Sequence, residues 1–367
     1  MPATTLPPAP RWVPPPPTKE NLDWADLPII DFSKASTPEG RAELAPRVCD
    51  VMRTVGFMCI DWASLTDDQT DRIFDIGDVV FTQVPEAERM QHASKLAEEG
   101  SKIGYKPRQL WTIDNGVRDQ HEQYACHRTV YGGQKHPKAL EPFLPELRAF
   151  SEFNHYDVLH NILRILALGM ELPEDTFVKM HGFDAVGDSH ARWIKYHPRT
   201  EEDESKTNSV WLKGHTDTGT VTILYSQPIS ALQILSPDGK WRWVKHIDNA
   251  LVVNIGESLE MLSGGFYKAT IHRVVQPPAD QRGRTRLGTY YFALADDAVR
   301  LVPVASPALA QGDVARKFAD ERAPTMGEWR RMRYMAYGLK EAVPVGGDVA
   351  RQEKIVENGV LVLKYYN

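Results

Sequence analysis

Cysteine is scarce in this 367-residue chain: Cys49, Cys59 and Cys126 stand at unrelated spacings. So few, unpatterned thiols argue against a disulfide framework or a cysteine-rich zinc site and fit a reducing intracellular setting. No apolar run is long enough to cross a bilayer, and no cationic-then-apolar leader opens the chain, so no membrane association and a cytoplasmic location are expected. A basic stripe is also missing. The formal net charge is −6, which argues against nucleic acid as the main partner. Internal repeats are absent.

What is present begins with proline. Residues 1–20 form a Pro-rich extension centred on PPAPRWVPPPP, which cannot form a regular helix and is expected to be extended or disordered. LPIIDFS then reads as a strand. Thr37-Pro38 reads as an N-cap followed by proline at the first helical position, with Leu44, Val48, Val51 and Val55 at helical spacing and Gly56 as the stop. Phe57 to Asp61 reads as a second strand, and another helix follows Thr66. The stretch 104–133 reads as loop-rich, with Tyr105, Trp111, Tyr124 and Tyr131 as its aromatics. Leu147, Phe150, Val158, Ile162, Ile165 and Leu166 mark one long helix ended by Gly169 and Pro173. His155 and His160 on it receive no functional role.

From Ala191 the texture becomes short β-rich runs separated by turns, including a hairpin around Asp238-Gly239. Many short strands favour a sandwich or barrel over a parallel sheet. TMGEWRRMRYMAYG reads as a C-terminal helix, while ENGVLVLKYYN receives no assignment.

The chemistry concentrates between Trp211 and Phe292. His215 and Asp217 lie two residues apart beside the β-branched run 220–223, and on an extended backbone such residues point to one side. His272 follows another β-rich run, Ala269 to Ile271. Two histidines and one carboxylate make a facial triad that leaves positions open on a non-haem Fe(II). Taken singly, each histidine is more often a surface or hydrogen-bonded core residue. Here GHTD and NIGESLEMLSGGFYKATIHRV stand together in order, and the chain resembles the iron(II)/2-oxoglutarate-dependent dioxygenases of the isopenicillin N synthase-like group. The resemblance implies a mainly β fold with surrounding helices, built on a double-stranded β-helix (jelly-roll) core. It divides the chain into residues 21–187 as a helix-rich N-terminal region, 188–300 as the core and 301–367 as a C-terminal helical segment. Fe(II), 2-oxoglutarate as cosubstrate and O2 are implied, with His215, Asp217 and His272 as metal ligands.

A dicarboxylate cosubstrate needs a cation for its far end, and arginine suits that through bidentate bonds. The family carries it in an Arg-x-Ser motif, which matches Arg286 here, with Gly288 standing in the serine position. Alternation places Arg286, Gly288, Tyr290 and Phe292 on one face; Arg284 is the rival under a shifted register. In ARWIKYHP, Tyr196 matches a family tyrosine that contacts the cosubstrate, while Ile194 replaces an asparagine. By position in the family, Tyr124 and Phe292 would line a substrate pocket, and Trp111 with the 329–337 helix would form a lid. The expected activity is oxidation of a small organic molecule (hydroxylation, desaturation or cyclisation) in specialised metabolism. The alternatives are an Fe(II)/O2 oxidase that does not use 2-oxoglutarate and a non-catalytic jelly-roll binding protein.

Overall fold

Strand alternation sorts the side chains onto two faces, and that sorting builds two stacked sheets. The computed structural model describes residues 6–62, 65–309, 314–336, 343–345, 352–357 and 360–365. The strands are β1 (Ile29–Asp31), β2 (Phe57–Asp61), β3 (Gly104–Lys106), β4 (His121–His127), β5 (His190–Tyr196), β6 (Val210–His215), β7 (Val221–Tyr225), β8 (Leu232–Leu235), β9 (Trp241–Trp243), β10 (Ala250–Ile255), β11 (His272–Val275), β12 (Arg286–Ala293), β13 (Val343–Val345), β14 (Gln352–Glu357) and β15 (Val360–Tyr365). One sheet has the order β1-β2-β10-β7-β12-β5-β4-β3, the other β13-β14-β15-β6-β11-β8-β9.

On the inner face of the first sheet, Ile194, Tyr196, Leu224, Val252 and Tyr290 pack against Trp211, Leu232, Ile234 and Val274 from the second. The alternate residues of the same strands, among them Trp193, Ile223, Val253, Leu287 and Tyr291, face outward into a larger core shared with the helices. Two-faced burial of this kind is what a β-sandwich covered by helices requires. The expected jelly-roll class is therefore the observed one.

Helix α1 (Pro38–Thr54) starts at Thr37, whose hydroxyl accepts the Gly40 amide, and buries Leu44, Val48 and Val51. Each such side chain stabilises the fold by about 1.5–3 kcal/mol. Helix α2 (Asp67–Thr82) opens with a Thr66/Gln69 capping box. The long helix is continuous from Leu144 to Gly169 but passes through a wider π-helical turn at Phe153–Leu159. That turn buries Asn154, His155, Val158 and Leu159 together, and the His155 imidazole bridges the Tyr291 hydroxyl (2.9 Å) and the His181 carbonyl (3.0 Å).

Two expectations need correction, and a third gains detail. The stretch 104–133 is not mainly loop: β3 and β4 pair with each other and β4 pairs with β5 along its whole length. Its polar residues face a cavity and so disguise the period-two pattern. The leader, described from residue 6, is extended but stitched down. Trp12 stacks on Phe74 at 4.6 Å, its amide donates to Asp75 (2.7 Å), and Gln281 donates to the Pro16 carbonyl (2.9 Å). The segment 301–367, expected to be helical, is so only in part: beside the helix Met326–Ala336 it carries β13, β14 and β15, and β14 and β15 extend the second sheet beyond β6. Among the described residues, no helix is long and apolar enough to cross a membrane.

Candidate active site

In the β6–β11 ladder His215 lies directly opposite His272, which brings the two rings to a centroid separation of 4.5 Å. Each Nδ1 meets a backbone carbonyl, Lys213 at 2.8 Å for His215 and Thr270 at 3.1 Å for His272. Each ring therefore carries its proton on Nδ1 and turns the lone pair of Nε2 outward, the tautomer a metal requires. Asp217 follows just past the end of β6. Its Oδ1 stands 3.8 Å from both Nε2 atoms, while Oδ2 accepts from the Thr222 hydroxyl (2.7 Å) and the Asn254 amide (2.9 Å). One ligand atom from each of the three residues lies within 4.8 Å of the others.

The loop that carries Asp217 is fixed from below. The amides of Glu257 and Ser258, opening the short helix Glu257–Leu262, donate to the carbonyls of Asp217 (2.7 Å) and Gly219 (3.1 Å). A Cβ on Gly256 would come within 2.2 Å of the Gly219 oxygen, so the loop can seat there only because residue 256 has no side chain. Burial alone would raise the Asp217 pKa. The two imidazoles, Thr222 and Asn254 overcome that and hold the carboxyl well below the usual carboxylate range.

The three side chains open onto a cavity lined on one side by Gln123, Arg192, Ile194, Tyr196, Tyr290 and Phe292, and on another by Lys102, Trp111, Leu212, Arg333 and Tyr334. Two nitrogens and one oxygen, with no fourth protein ligand converging on them among the described residues, fit Fe(II) with open coordination positions. They do not make a closed structural zinc site, which would take four protein donors.

Sequence comparison points the same way. The profile of the 2OG-Fe(II) oxygenase superfamily matches residues 188–292, and that of the non-haem dioxygenase in morphine synthesis N-terminal region matches residues 27–145. The chain belongs to the 2OG-Fe(II) oxygenase superfamily. It is an Fe(II)- and 2-oxoglutarate-dependent dioxygenase. A homoarginine-6-hydroxylase of Oryza sativa subsp. japonica is 27% identical over 311 residues, covering 76% of this chain and 89% of its own length. Validamycin A dioxygenase of Streptomyces hygroscopicus subsp. limoneus is 26% identical, covering 77% and 80%. Among solved structures, a full-length Neurospora crassa protein in complex with alpha-KG aligns with a TM-score of 0.73 at 23% identity, covering 87% of this chain and all of that one. That last likeness speaks to the fold alone.

The remaining expected residues are distributed unevenly. Arg286 is buried and Arg284 exposed, so of the two only Arg286 points inward. It does not line the main cavity; it lines a smaller void that shares the Leu224, Leu232 and Val252 wall. Between the two stands Tyr290, whose hydroxyl accepts from Arg286 Nη1 at 3.3 Å. Arg286 Nε is buried with no hydrogen-bond partner among the described residues. Gly288 explains the tyrosine's position, because a Cβ there would lie 2.6 Å from Tyr290 Cε2 and 2.8 Å from its oxygen. The ring lies across the space a serine side chain would take.

Tyr196 and Phe292 line the cavity. Tyr124 does not. It is fully buried on the opposite face of β4, bonded to His136 at 2.8 Å, and its neighbours His121 and Gln123 hold the cavity side. The expectation that Tyr124 lines the pocket is thus wrong: on a strand, one residue's shift exchanges the two faces, and the cavity side belongs to its neighbours. In the C-terminal helix Met326–Ala336, Trp329 is buried in the main core, whereas Arg333 and Tyr334 reach the cavity beside Trp111; Tyr337 lies outside the described residues. Arg333 is paired with Glu257 (Nε to Oε2 2.9 Å), and Glu257 accepts the Thr216 hydroxyl. This ties the helix to the metal-facing loop. Lys102, Gln123, Arg192 and Arg333 all escape notice in the sequence. For Arg192 the period-two pattern of ARWIKYHP carried the signal, since Arg192 shares a face with Tyr196.

Proposed function

We propose that His215, Asp217 and His272 hold the iron, that Arg286 anchors the far carboxylate of 2-oxoglutarate with Tyr290 and Tyr196 beside it, and that the enzyme oxidises a small organic molecule in specialised metabolism by hydroxylation, desaturation or ring closure. One observation carries this reading: two Nε2 lone pairs and one carboxylate oxygen converge at a cavity wall, each held in place by its own hydrogen bonds. The iron and 2-oxoglutarate, once bound, supply an O2-dependent oxidation in which the oxo acid is decarboxylated to succinate.

The rest is done by the chain. The Lys213 and Thr270 carbonyls fix the ring tautomers and orientations. Thr222 and Asn254 restrain one carboxylate oxygen of Asp217 so that the other stays directed at the metal position. Arg286, buried with an unused Nε–H, offers a carboxylate a desolvated cation, where a charge-assisted bond is strongest. Phe292, Leu212, Trp111 and Tyr334 contribute apolar wall, which excludes water from the reacting centre. The homoarginine and validamycin relatives are named for small organic substrates, which supports the same scale of substrate here.

Anaerobic titration with Mn(II), then with 2-oxoglutarate, tests the assignment. Stoichiometric metal binding that disappears in Asp217→Ala, and 2-oxoglutarate binding that collapses in Arg286→Ala with metal binding retained, are expected. Metal binding unchanged in Asp217→Ala would refute it.

A further inference from the structure

The cavity holds a cation that the reaction at the iron does not account for. Arg192 lies on β5 and is only 4% exposed. Its Nε and Nη2 both point at His190 Nε2, at 3.1 and 2.6 Å, and Nη1 donates to Gln123 Oε1 at 3.2 Å. The guanidinium lies over the Phe292 ring at 3.9 Å.

These partners are neutral. His190 Nδ1 sits 2.5 Å from the Asp188 carbonyl and so carries the ring proton; burial and the adjacent guanidinium push its pKa well below the ordinary value. Among the described residues no carboxylate is within ion-pair distance of Arg192. A second basic group, Lys102, lines the same cavity with its Nζ 4.2 Å from the Tyr334 ring; burial and the nearby Arg192 push its pKa well below the ordinary value, so the charge on this wall rests chiefly with Arg192. The charge of Arg333 is already matched by Glu257, and Asp217 is directed at the metal. A buried guanidinium held in one orientation by neutral acceptors, facing open space, is costly unless an anion completes it.

This cation is not the one proposed for the cosubstrate. In the β5–β12 ladder Tyr196 is opposite Arg286, and Arg192 is opposite Tyr290. The two arginines are therefore four residues apart along neighbouring strands, roughly 13 Å at about 3.3 Å per residue.

We infer that the substrate is an organic acid whose carboxylate is gripped by Arg192, flanked by Lys102, with its apolar body against Phe292, Leu212 and Tyr334. The inference rests on the proposed iron and 2-oxoglutarate site and adds the substrate class.

Calorimetry on enzyme loaded with Mn(II) and 2-oxoglutarate provides the test, with benzoate, phenylacetate and hexanoate each compared with its methyl ester. At least one acid is expected to bind and its ester to bind at least roughly 30-fold more weakly, as loss of a desolvated charge-assisted contact requires. Arg192→Gln should weaken the acid by a similar factor and leave the ester and 2-oxoglutarate isotherms in place. Arg192→Lys, which keeps the charge, should recover part of the loss and guards against a folding defect in the glutamine variant. Esters that bind as tightly as acids, acid binding unchanged in Arg192→Gln, or no acid binding to normally loaded enzyme would each overturn the inference. Failure of Mn(II) or 2-oxoglutarate to bind wild-type enzyme would instead strike at the site reading itself.

Discussion

Replacing Gly288 by serine would restore the family residue, yet it should damage cosubstrate binding. The new Cβ would lie 2.6 Å from Tyr290 Cε2, 2.8 Å from its hydroxyl and 3.0 Å from Cζ. Gly288 sits mid-strand, paired with Ile194 in the ladder, so backbone retreat is restricted and the ring must move. Forcing extra atoms into a packed site costs about 1–3 kcal/mol. The relief available to Tyr290 is to swing toward the cavity, which breaks its 3.3 Å contact with Arg286. A hydrogen bond to a charged group contributes about 1.5–3 kcal/mol, and at this length the lower end is appropriate. Gly288→Ser should therefore raise the 2-oxoglutarate Kd by roughly 10-fold, at about 1.4 kcal/mol per decade, with Mn(II) binding intact. Tyr290→Phe, which keeps the ring and loses only the oxygen, should weaken 2-oxoglutarate by a similar factor. The pair should couple: Gly288→Ser in a Tyr290→Ala background has no ring to displace and brings its own hydroxyl, so it should bind 2-oxoglutarate better than Tyr290→Ala alone. Equilibrium titration of the four proteins reads this directly. Wild-type affinity in Gly288→Ser, or strict additivity in the cycle, would refute the account of Tyr290 as the partner of Arg286.

His215→Ala should abolish substrate-dependent succinate formation and lower Mn(II) affinity sharply while leaving the melting temperature within a few degrees; retained turnover would show that the ligand set is wrong. Asn254→Ala frees Asp217 Oδ2 from one of its two restraints, so metal affinity should drop roughly 10-fold by calorimetry with the fold intact, and an unchanged Kd would show that Thr222 alone suffices. Burial pushes the imidazole pKa values of His155 and His181 down to about 3 and about 4, whereas an unfolded chain titrates near 6.5. Their contribution is complete above about pH 6.5 and is lost as pH falls, because unfolding then takes up a proton at each. The pair should cost roughly 2.7 kcal/mol of stability per pH unit between about pH 6 and pH 4.5. In urea melts His155→Gln should lessen that slope by about 1.4 kcal/mol per unit, and an unaltered slope would mean that His155 is charged in the native state.

How much of this was legible in the text depends on whether a residue's role is local. The N-cap at Thr37, the hairpin at Asp238-Gly239 and the convergence of His215 with Asp217 are short-range consequences of backbone geometry, and all are found in the fold. His272 required a resemblance, because only the β6–β11 register sets it opposite His215. Tyr124 went wrong for a related reason. EQYACH has no polar–apolar alternation to reveal its parity, since the face it turns to the cavity carries His121 and Gln123 and is itself buried. Where both faces of a strand leave water, hydrophobicity no longer says which is which. The anchoring of the proline-rich leader depends on Phe74, Asp75 and Gln281, at distances no local pattern encodes.

The same limit decides how a departure from a family motif should be weighed. Considered one position at a time, Gly288 is a lost hydroxyl and Tyr290 is one more aromatic in a β strand. On the folded strand they are i and i+2 on one face, and the glycine is the space into which the tyrosine ring folds. Its oxygen then meets Arg286 four residues from its own position. A serine at position 288 would leave no room for the Tyr290 ring where it now lies, and a smaller residue at 290 would leave Arg286 without this hydroxyl. Gly288 and Tyr290 therefore act as one unit, the glycine making room for a tyrosine hydroxyl that accepts from Arg286, so the missing serine weighs little against use of 2-oxoglutarate.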